Sequence, residues 1–254
     1  MYPFQHGGHI TKDLYGGVPM GGEAAAPTLS FSAVTTGAET LTLQRITPTG
    51  GTCTVTWGDG SADTVIANGN TVTTTHDYAG AGTWAVTISN PELITYLDLR
   101  DSKISVSVGS FAQINRTLDT LRLENITGTF DSSDFAGSTP STLSIVLPNT
   151  ITSTIARADW SAGILRKVAS PTIQAYLTAT QVDDILLGAW DDFGNRTASA
   201  GTFNIAGTNT APSGTFQAQC SPTTGKEAAN ELLNDSCDVS SNHYAAIIVT
   251  GGLP

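Results

Sequence analysis

The chain has 254 residues, enough for one large domain or two small ones. Charged residues make up only 13% of the chain and the formal net charge is −11. The scattered basic residues argue against a nucleic-acid binder, which needs clustered Lys and Arg to contact phosphates, and against binding to anionic membrane surfaces. No apolar run approaches the roughly 20 residues that would span a bilayer, so membrane insertion is not expected.

Residues 1–27 are predicted to form an extended N-terminal arm. Glycine pairs recur in this segment, prolines interrupt it and no apolar period persists, so it cannot bury enough surface to fold alone. We expect the arm to become ordered on a partner subunit; the alternative is a disordered leader. The side chains expected to make this contact are Tyr2, Phe4, Ile10, Leu14, Tyr15 and Met20.

Residues 28–90 have the alternating pattern of strands with one buried face. Apolar side chains at Leu29, Phe31 and Ala33 alternate with Thr or Ser. The same alternation recurs at Leu41–Leu43, at Cys53–Trp57 and at Trp84–Ile88. Turn-forming Gly, Asp and Asn residues separate these runs, and the pattern predicts a small β-sandwich.

Three segments of this region resemble the polycystic-kidney-disease (PKD) domain family. Their sequences are Trp57-Gly58-Asp59-Gly60-Ser61, His76-Asp77-Tyr78 and Gly82-Thr83-Trp84-Ala85-Val86-Thr87. They occur in the family's order and at plausible spacing. The resemblance implies an immunoglobulin-like sandwich used for adhesion or spacing, without catalysis. The residues that carry this structural motif are Trp57, Asp59, Gly60, His76, Tyr78 and Trp84.

Residues 91–175 contain a repeat. An apolar pair recurs three times with a step of 24 residues (121 − 97 and 145 − 121): Leu97 with Leu99, Leu121 with Leu123, and Ile145 with Leu147. A second series with nearly the same step contains Phe111, Phe135 and Trp160. This region resembles the irregular leucine-rich repeats of bacterial and phage surface proteins, which implies a short solenoid of stacked strands. A fourth strand is expected near Leu165–Val168.

Residues 176–254 are predicted to form a helical cap on that solenoid. Residues Thr178–Gln181 form a capping-box sequence that opens a helix with Val182, Ile185, Leu186 and Ala189 on one face. A second helix is expected over Gly225–Asp235. Strands are expected at Phe203–Ile205 and Tyr244–Val249. The fold class is therefore mainly β: an arm (1–27), a PKD-like sandwich (28–90) and a leucine-rich-repeat-like solenoid with a C-terminal α/β cap (91–254).

The three cysteines do not form a disulfide framework, because their number is odd. Cys220 and Cys237 flank the second predicted helix, and two states remain open for them. A disulfide would stabilise the fold by about 3 kcal/mol in the chain-entropy estimate. Two reduced thiols are the alternative in a protein made in the cytoplasm.

The sequence contains no recognisable catalytic constellation. It has no Gly-x-Ser-x-Gly elbow, no His-Glu-x-x-His and no phosphate-binding loop, and we predict no catalytic, cofactor or metal-binding residue. Two oxygen-rich groups make calcium a minor alternative: Asp59, Asp63 and Asp77, and Asp191, Asp192 and Asn195. A glycan-degrading enzyme, with acids among Asp98, Asp119 and Glu124, is disfavoured relative to solvated acids on a β surface.

Two features of the sequence favour a non-enzymatic component of a bacteriophage particle. The Thr-, Ser- and Gly-rich composition is common in proteins displayed outside cells, yet the first residues lack the basic and apolar regions of a signal peptide. A particle protein made in the cytoplasm and released by lysis fits both. We expect a capsid decoration protein or a tail-attached component, present in several copies and bound to other virion proteins through the arm. The alternative is an adhesin for a host-surface receptor or glycan.

Overall fold

The computed structural model of the chain describes residues 27–114, 118–198, 200–237, 239 and 242–253. Fifteen strands and three α-helices are found there, and the strands form two sheets, so the prediction of a mainly β fold is confirmed. The contact residues predicted for the arm lie outside the described residues: Tyr2, Phe4, Ile10, Leu14, Tyr15 and Met20.

Six strands precede residue 90: β1 (Thr28–Thr35), β2 (Glu39–Pro48), β3 (Cys53–Thr56), β4 (Thr64–Ile66), β5 (Val72–Tyr78) and β6 (Gly82–Ser89). β1, β2, β3 and β6 form where alternation predicts strands, because every second side chain enters the core, whereas β4 and β5 were not predicted. Leu29, Ala33 and Leu41, for example, are fully buried. β1 pairs with β6 antiparallel along its whole length, and β2 pairs with β5. These strands divide between two sheets that face each other across that core.

Nine strands follow: β7 (Ile94–Leu99), β8 (Ile104–Val106), β9 (Thr120–Glu124), β10 (Thr127–Asp131), β11 (Thr142–Val146), β12 (Thr152–Thr154), β13 (Thr172–Gln174), β14 (Thr202–Ile205) and β15 (Ala246–Val249). In the eight-stranded sheet, β7 pairs with β2, and β9, β11, β13, β14 and β15 continue in parallel. In the seven-stranded sheet, β8 pairs with β1, and β10 and β12 continue in parallel. Both sheets therefore contain strands from before and from after residue 90. One hydrophobic core extends from Leu29 to Val249.

The repeat is present, but its second step differs from the predicted one. β7 and β9 align Leu97 with Leu121, which is the predicted step of 24 residues. β9 and β11 align Leu121 with Leu143 and Leu123 with Ile145, a step of 22 (143 − 121), so the pairing of Leu121 with Ile145 was wrong. Because side chains alternate with period two, a slip of two residues keeps the same face buried, and the apolar pattern cannot detect it.

The fourth strand lies after the predicted position. Leu165 and Val168 are buried, but they lie in turns closed by backbone hydrogen bonds from Arg166 to Gly163 and from Val168 to Leu165. The strand is β13, which starts immediately after Pro171. Burial of apolar residues in a turn gives the same composition as a short strand, so the prediction at Leu165–Val168 was wrong.

The helices are α1 (Arg157–Asp159), which continues into a wider π-helical turn (Trp160–Ile164), α2 (Ala179–Asp191) and α3 (Gly225–Asn234). The capping box at Thr178 is present: Gln181 N donates to Thr178 Oγ1, and the Thr178 backbone N donates to Gln181 Oε1. All four apolar residues predicted for the inner face of α2 are buried.

A cap would close the end of the sheet. The C-terminal segment instead adds strands to the sheet. β14 pairs with β13 and β15 pairs with β14, in parallel, while α2 and α3 make the crossovers between these strands. Parallel strands need such crossover connections. The order helix–strand–helix–strand is therefore a continuation of the stack, with β15 at its edge.

Candidate binding surface

The aromatic residues and Asp59 of the predicted PKD-like motif form one cluster at one end of the first six strands. Trp57 stacks on His76 with ring centroids 4.7 Å apart, and Tyr78 stacks on Trp84 at 5.3 Å. Tyr78 Oη donates to the Trp57 carbonyl oxygen at 2.9 Å, and His76 Nε2 lies 2.7 Å from Asp59 Oδ2. The cluster joins three segments that are distant in sequence.

Glycine is required in the tight turn that presents Asp59. Gly58 has φ 83°, and a Cβ there would lie 2.4 Å from the Ala85 carbonyl oxygen. Gly60 also has a positive φ, 81°, in the same turn. The turn places the Asp59 carboxylate where it accepts hydrogen bonds from Ser61 and faces His76.

The pKa shifts in the motif cluster indicate a structural role for its hydrogen bonds. Hydrogen bonds from Ser61 and from His76 hold the pKa of the Asp59 carboxyl well below its usual range. Burial, assisted by the negative charge of Asp59, raises the pKa of Tyr78 to about 12. Ser61 Oγ is 2.6 Å from Asp59 Oδ1 but 3.5 Å from His76 Nε2, and that nitrogen already faces Asp59. A nucleophilic serine needs a free imidazole nitrogen as its base, and this geometry does not provide one.

In both oxygen-rich groups, other side chains engage most of the carboxylates, and only the exposed Asp63 has no such contact among the described residues. Asp77 accepts a hydrogen bond from Thr40, and Asp59 is engaged as described. Arg157 donates twice to Asp191, and Arg166 donates twice to Asp192. Within the described ranges, no group of three or more His, Cys, Asp or Glu side chains could hold a metal ion.

The three acids considered for glycoside cleavage have separate hydrogen-bond partners. Asp98 is only 2% exposed, and Arg100 donates to both of its carboxylate oxygens at 2.6 and 2.8 Å. Glu124 accepts from Ser144 at 3.1 Å, and Asp119 accepts from Ser141 at 2.6 Å. The bidentate pairing commits Asp98 to a charge-assisted contact within the sheet.

Two arginines that flank Asp98 on the outer face of the eight-stranded sheet were missed from the sequence. We call Arg45, Asp98 and Arg122 together the arginine row. Arg45, Asp98 and Arg122 are aligned side by side on β2, β7 and β9. The Arg45 guanidinium lies 4.3 Å from the centroid of the Tyr96 ring. One signal was available: the 24-residue step that aligns Leu97 with Leu121 also aligns Asp98 with Arg122.

An open groove of about 490 Å³ lies next to this row. It is formed by β2 and by the loops at the carboxyl ends of β7, β9 and β11. Polar side chains dominate the lining, among them Thr42, Gln44, Arg100, Ser102, Asn125 and Thr127. Arg100 belongs both to the groove and to the pair with Asp98, so the groove and the arginine row form one surface, which we call the arginine face.

The cysteines take two different states. Cys220 and Cys237 form a disulfide that connects the segments before and after α3. Cys53 is a buried free thiol on β3. Its burial, with a further effect of the negative charge of Glu92, raises its pKa to about 11.

In the part of the chain that the structure covers, no helix is long and apolar enough to cross a membrane. No protein-family model, curated protein or solved structure matches the chain.

Proposed function

We propose that the chain is a non-enzymatic structural component of a bacteriophage particle, with a PKD-like, immunoglobulin-like sandwich continued by a leucine-rich-repeat-like solenoid. The clustering of Trp57, Asp59, His76, Tyr78 and Trp84 supports the first assignment. The parallel β7–β9–β11 stack with steps of 24 and 22 residues supports the second. The observation that carries the proposal is the core that runs through both parts, because a display protein needs a rigid body to project outward.

In this proposal the N-terminal arm attaches the rigid body to the particle exterior. The aromatic and aliphatic side chains of residues 1–27 are spaced among glycines, a pattern that favours extended docking on another chain. The partners would be capsid or tail proteins, with several copies of this chain on each particle. Capsid decoration is the leading version, and attachment to the tail is the second.

Composition of purified particles tests the proposal. Particles from a lysate in which the gene is expressed are separated on a density gradient, and each fraction is analysed by quantitative mass spectrometry. The chain is expected in the particle fraction, in several copies per particle. Recovery only with the soluble proteins would remove the particle role.

Substitutions in the arm test the mode of attachment. Replacing both Phe4 and Tyr15 by serine should lower the copy number without changing the circular dichroism spectrum of the purified protein. Val108→Ser is the matched control, because Val108 is a 60% exposed apolar residue outside the arm. Equal loss with the control variant would show that the arm has no special part in attachment.

The second candidate function is adhesion to a host-surface glycan or receptor. The arginine face favours it, since an open polar groove beside guanidinium groups suits a hydroxyl-rich ligand. The two functions are compatible if the protein is carried on a particle. Binding of the purified, labelled protein to host cells tests this candidate, and failure to bind any host surface would contradict it.

A further inference from the structure

Among the described residues, the arginine face contains two cations that form no ion pair; it also contains Glu124, a carboxylate two residues after Arg122 on the same face, whose charge acts on Arg100. Arg100 neutralises Asp98, and Lys103 pairs with Asp101 at 2.9 Å. Arg45 and Arg122 form no ion pair with any described residue, although both flank the same carboxylate. The chain carries a net charge of −11, so two such guanidinium groups on one face are a local departure from its average.

Both of these arginines point to the outer face, and a ring contact holds Arg45 there. Leu121 and Leu123 are fully buried, so Arg122 between them points away from the core. Arg45 lies over the Tyr96 ring, and the contact fixes the plane of its guanidinium. The Nε atoms of both are buried and have no hydrogen-bond acceptor among the described residues. A ligand cannot reach these buried Nε atoms, so a planar carboxylate would pair with the two terminal nitrogens of each guanidinium.

The adjoining groove contains one carboxylate, Asp101, which is paired with Lys103, and most of its other side chains suit neutral sugar hydroxyls. Gln44, Asn125 and Thr127 supply amide and hydroxyl groups that both donate and accept. Arg100 lines the groove and also donates to Asp98 in the arginine row, so the two regions share this residue. Dense polyanions such as nucleic acid would be repelled by the overall negative charge, whereas widely spaced carboxylates on a neutral chain would not.

We propose that the arginine face binds an acidic oligosaccharide: its carboxylate pairs with Arg45 and Arg122, and the groove takes the neighbouring sugar hydroxyls. This inference deepens the adhesin candidate and rests on it. It does not depend on where the protein resides, because binding is measured on the purified full chain. Failure of the chain to associate with particles would therefore not contradict oligosaccharide binding. Failure to bind oligosaccharides would likewise not contradict the particle role.

The test uses uronic-acid and sialic-acid oligosaccharides, titrated calorimetrically into the full chain, each beside its methyl-esterified form. Binding is expected for at least one acidic oligosaccharide, and esterification should weaken it about tenfold or more, because a charge-assisted pair is replaced by a neutral contact. This comparison uses the unaltered protein and does not depend on the folding of any variant. Absence of binding to the whole panel, or equal binding of the esters, would overturn the proposal.

Substitutions then place the ligand on the protein. Arg45→Gln and Arg122→Gln should each weaken binding about tenfold. Lys167→Gln removes the same charge at an exposed position outside the row and should leave affinity unchanged. Unchanged affinity in both arginine variants would contradict the assignment, as would double-stranded DNA binding as tightly as the best oligosaccharide.

Discussion

The Asp59 carboxylate connects the turn after β3 to His76 on β5. It accepts from Ser61 and faces His76, which itself stacks on Trp57. These hydrogen bonds are made to the charged form and lower the pKa of Asp59. A carboxyl whose pKa is depressed in the folded state stabilises the fold above its unfolded pKa, about 3.9, and this contribution is lost as the pH falls toward the folded pKa.

Asp59→Asn should therefore destabilise the protein at about pH 5 and have a shrinking effect as the pH is lowered toward about pH 2. Urea unfolding of the wild type and the variant, followed by tryptophan fluorescence, measures the difference at each pH. The matched control is Asp63→Asn, which removes an exposed carboxylate from the same region. A difference that stays constant over this pH range would contradict the role given to the Asp59 charge.

Cys53 should be unreactive in the folded protein. Its side chain is buried, and a pKa of about 11 leaves almost no thiolate at about pH 8. Mass spectrometry after iodoacetamide treatment should find no label on the native protein. In denaturant without reductant it should find one label, on Cys53, because the other two cysteines form the disulfide. Rapid labelling of the native protein would show that the β3 region opens readily.

Sequence reasoning identified the motif residues but not the arginine row, and the reason is local. Strict alternation after Leu41 and Leu43 would place Arg45 in the core. A β-bulge between Leu43 and Ile46 leaves Gln44 and Arg45 both facing outward. Bulges depend on the pairing partner as well as on the strand itself. The position of Arg45 beside Asp98 could therefore not be derived from β2 alone.

At the scale of elements, α3 is held by a covalent connection as well as by packing. Ala228, Ala229 and Leu232 are fully buried on its inner face. The disulfide between Cys220 and Cys237, separated by 17 residues, closes a loop around the helix. Closing a loop of this size restricts the unfolded chain and stabilises the folded one.

Replacing both cysteines by serine should lower the free energy of unfolding by about 3 kcal/mol. Chemical denaturation of the double variant measures this, and wild type unfolded with a reductant should give a similar loss. Cys53→Ala separates the disulfide from general effects of cysteine replacement, since Cys53 is outside the bridge. Unchanged stability of the reduced protein would contradict a stabilising role for the bridge.

Elements with long apolar patterns were predictable, and short ones were not. The capping box and inner face of α2 follow directly from residues 178–189. The strands β8 and β12 have three residues each, too few to establish a period, and they form because β1 and β10 offer an edge to pair with. Long-range pairing of this kind has no local signature in the sequence.

At the scale of the whole molecule, the strands before and after residue 90 form one continuous body. Antiparallel strands before residue 90 and parallel strands after it belong to the same two sheets. β1 and β2 each carry one antiparallel neighbour from either side of that position. The sandwich and the stack thus share a core, and a surface on β2, β7 and β9 has a fixed shape. The proposed particle role and the arginine face both require that rigidity.

Hydrogen exchange at increasing denaturant concentrations, resolved by mass spectrometry, tests this continuity most directly. If residues 27–253 unfold as one unit, peptides from β1, β9 and β14 should lose protection at the same denaturant concentration and with the same slope. Leu29→Ala, which opens a cavity at one end of the core, should then shift the transition for all three peptides equally. Separate transitions for β1 and β14, or a shift confined to β1, would contradict the account of one rigid body.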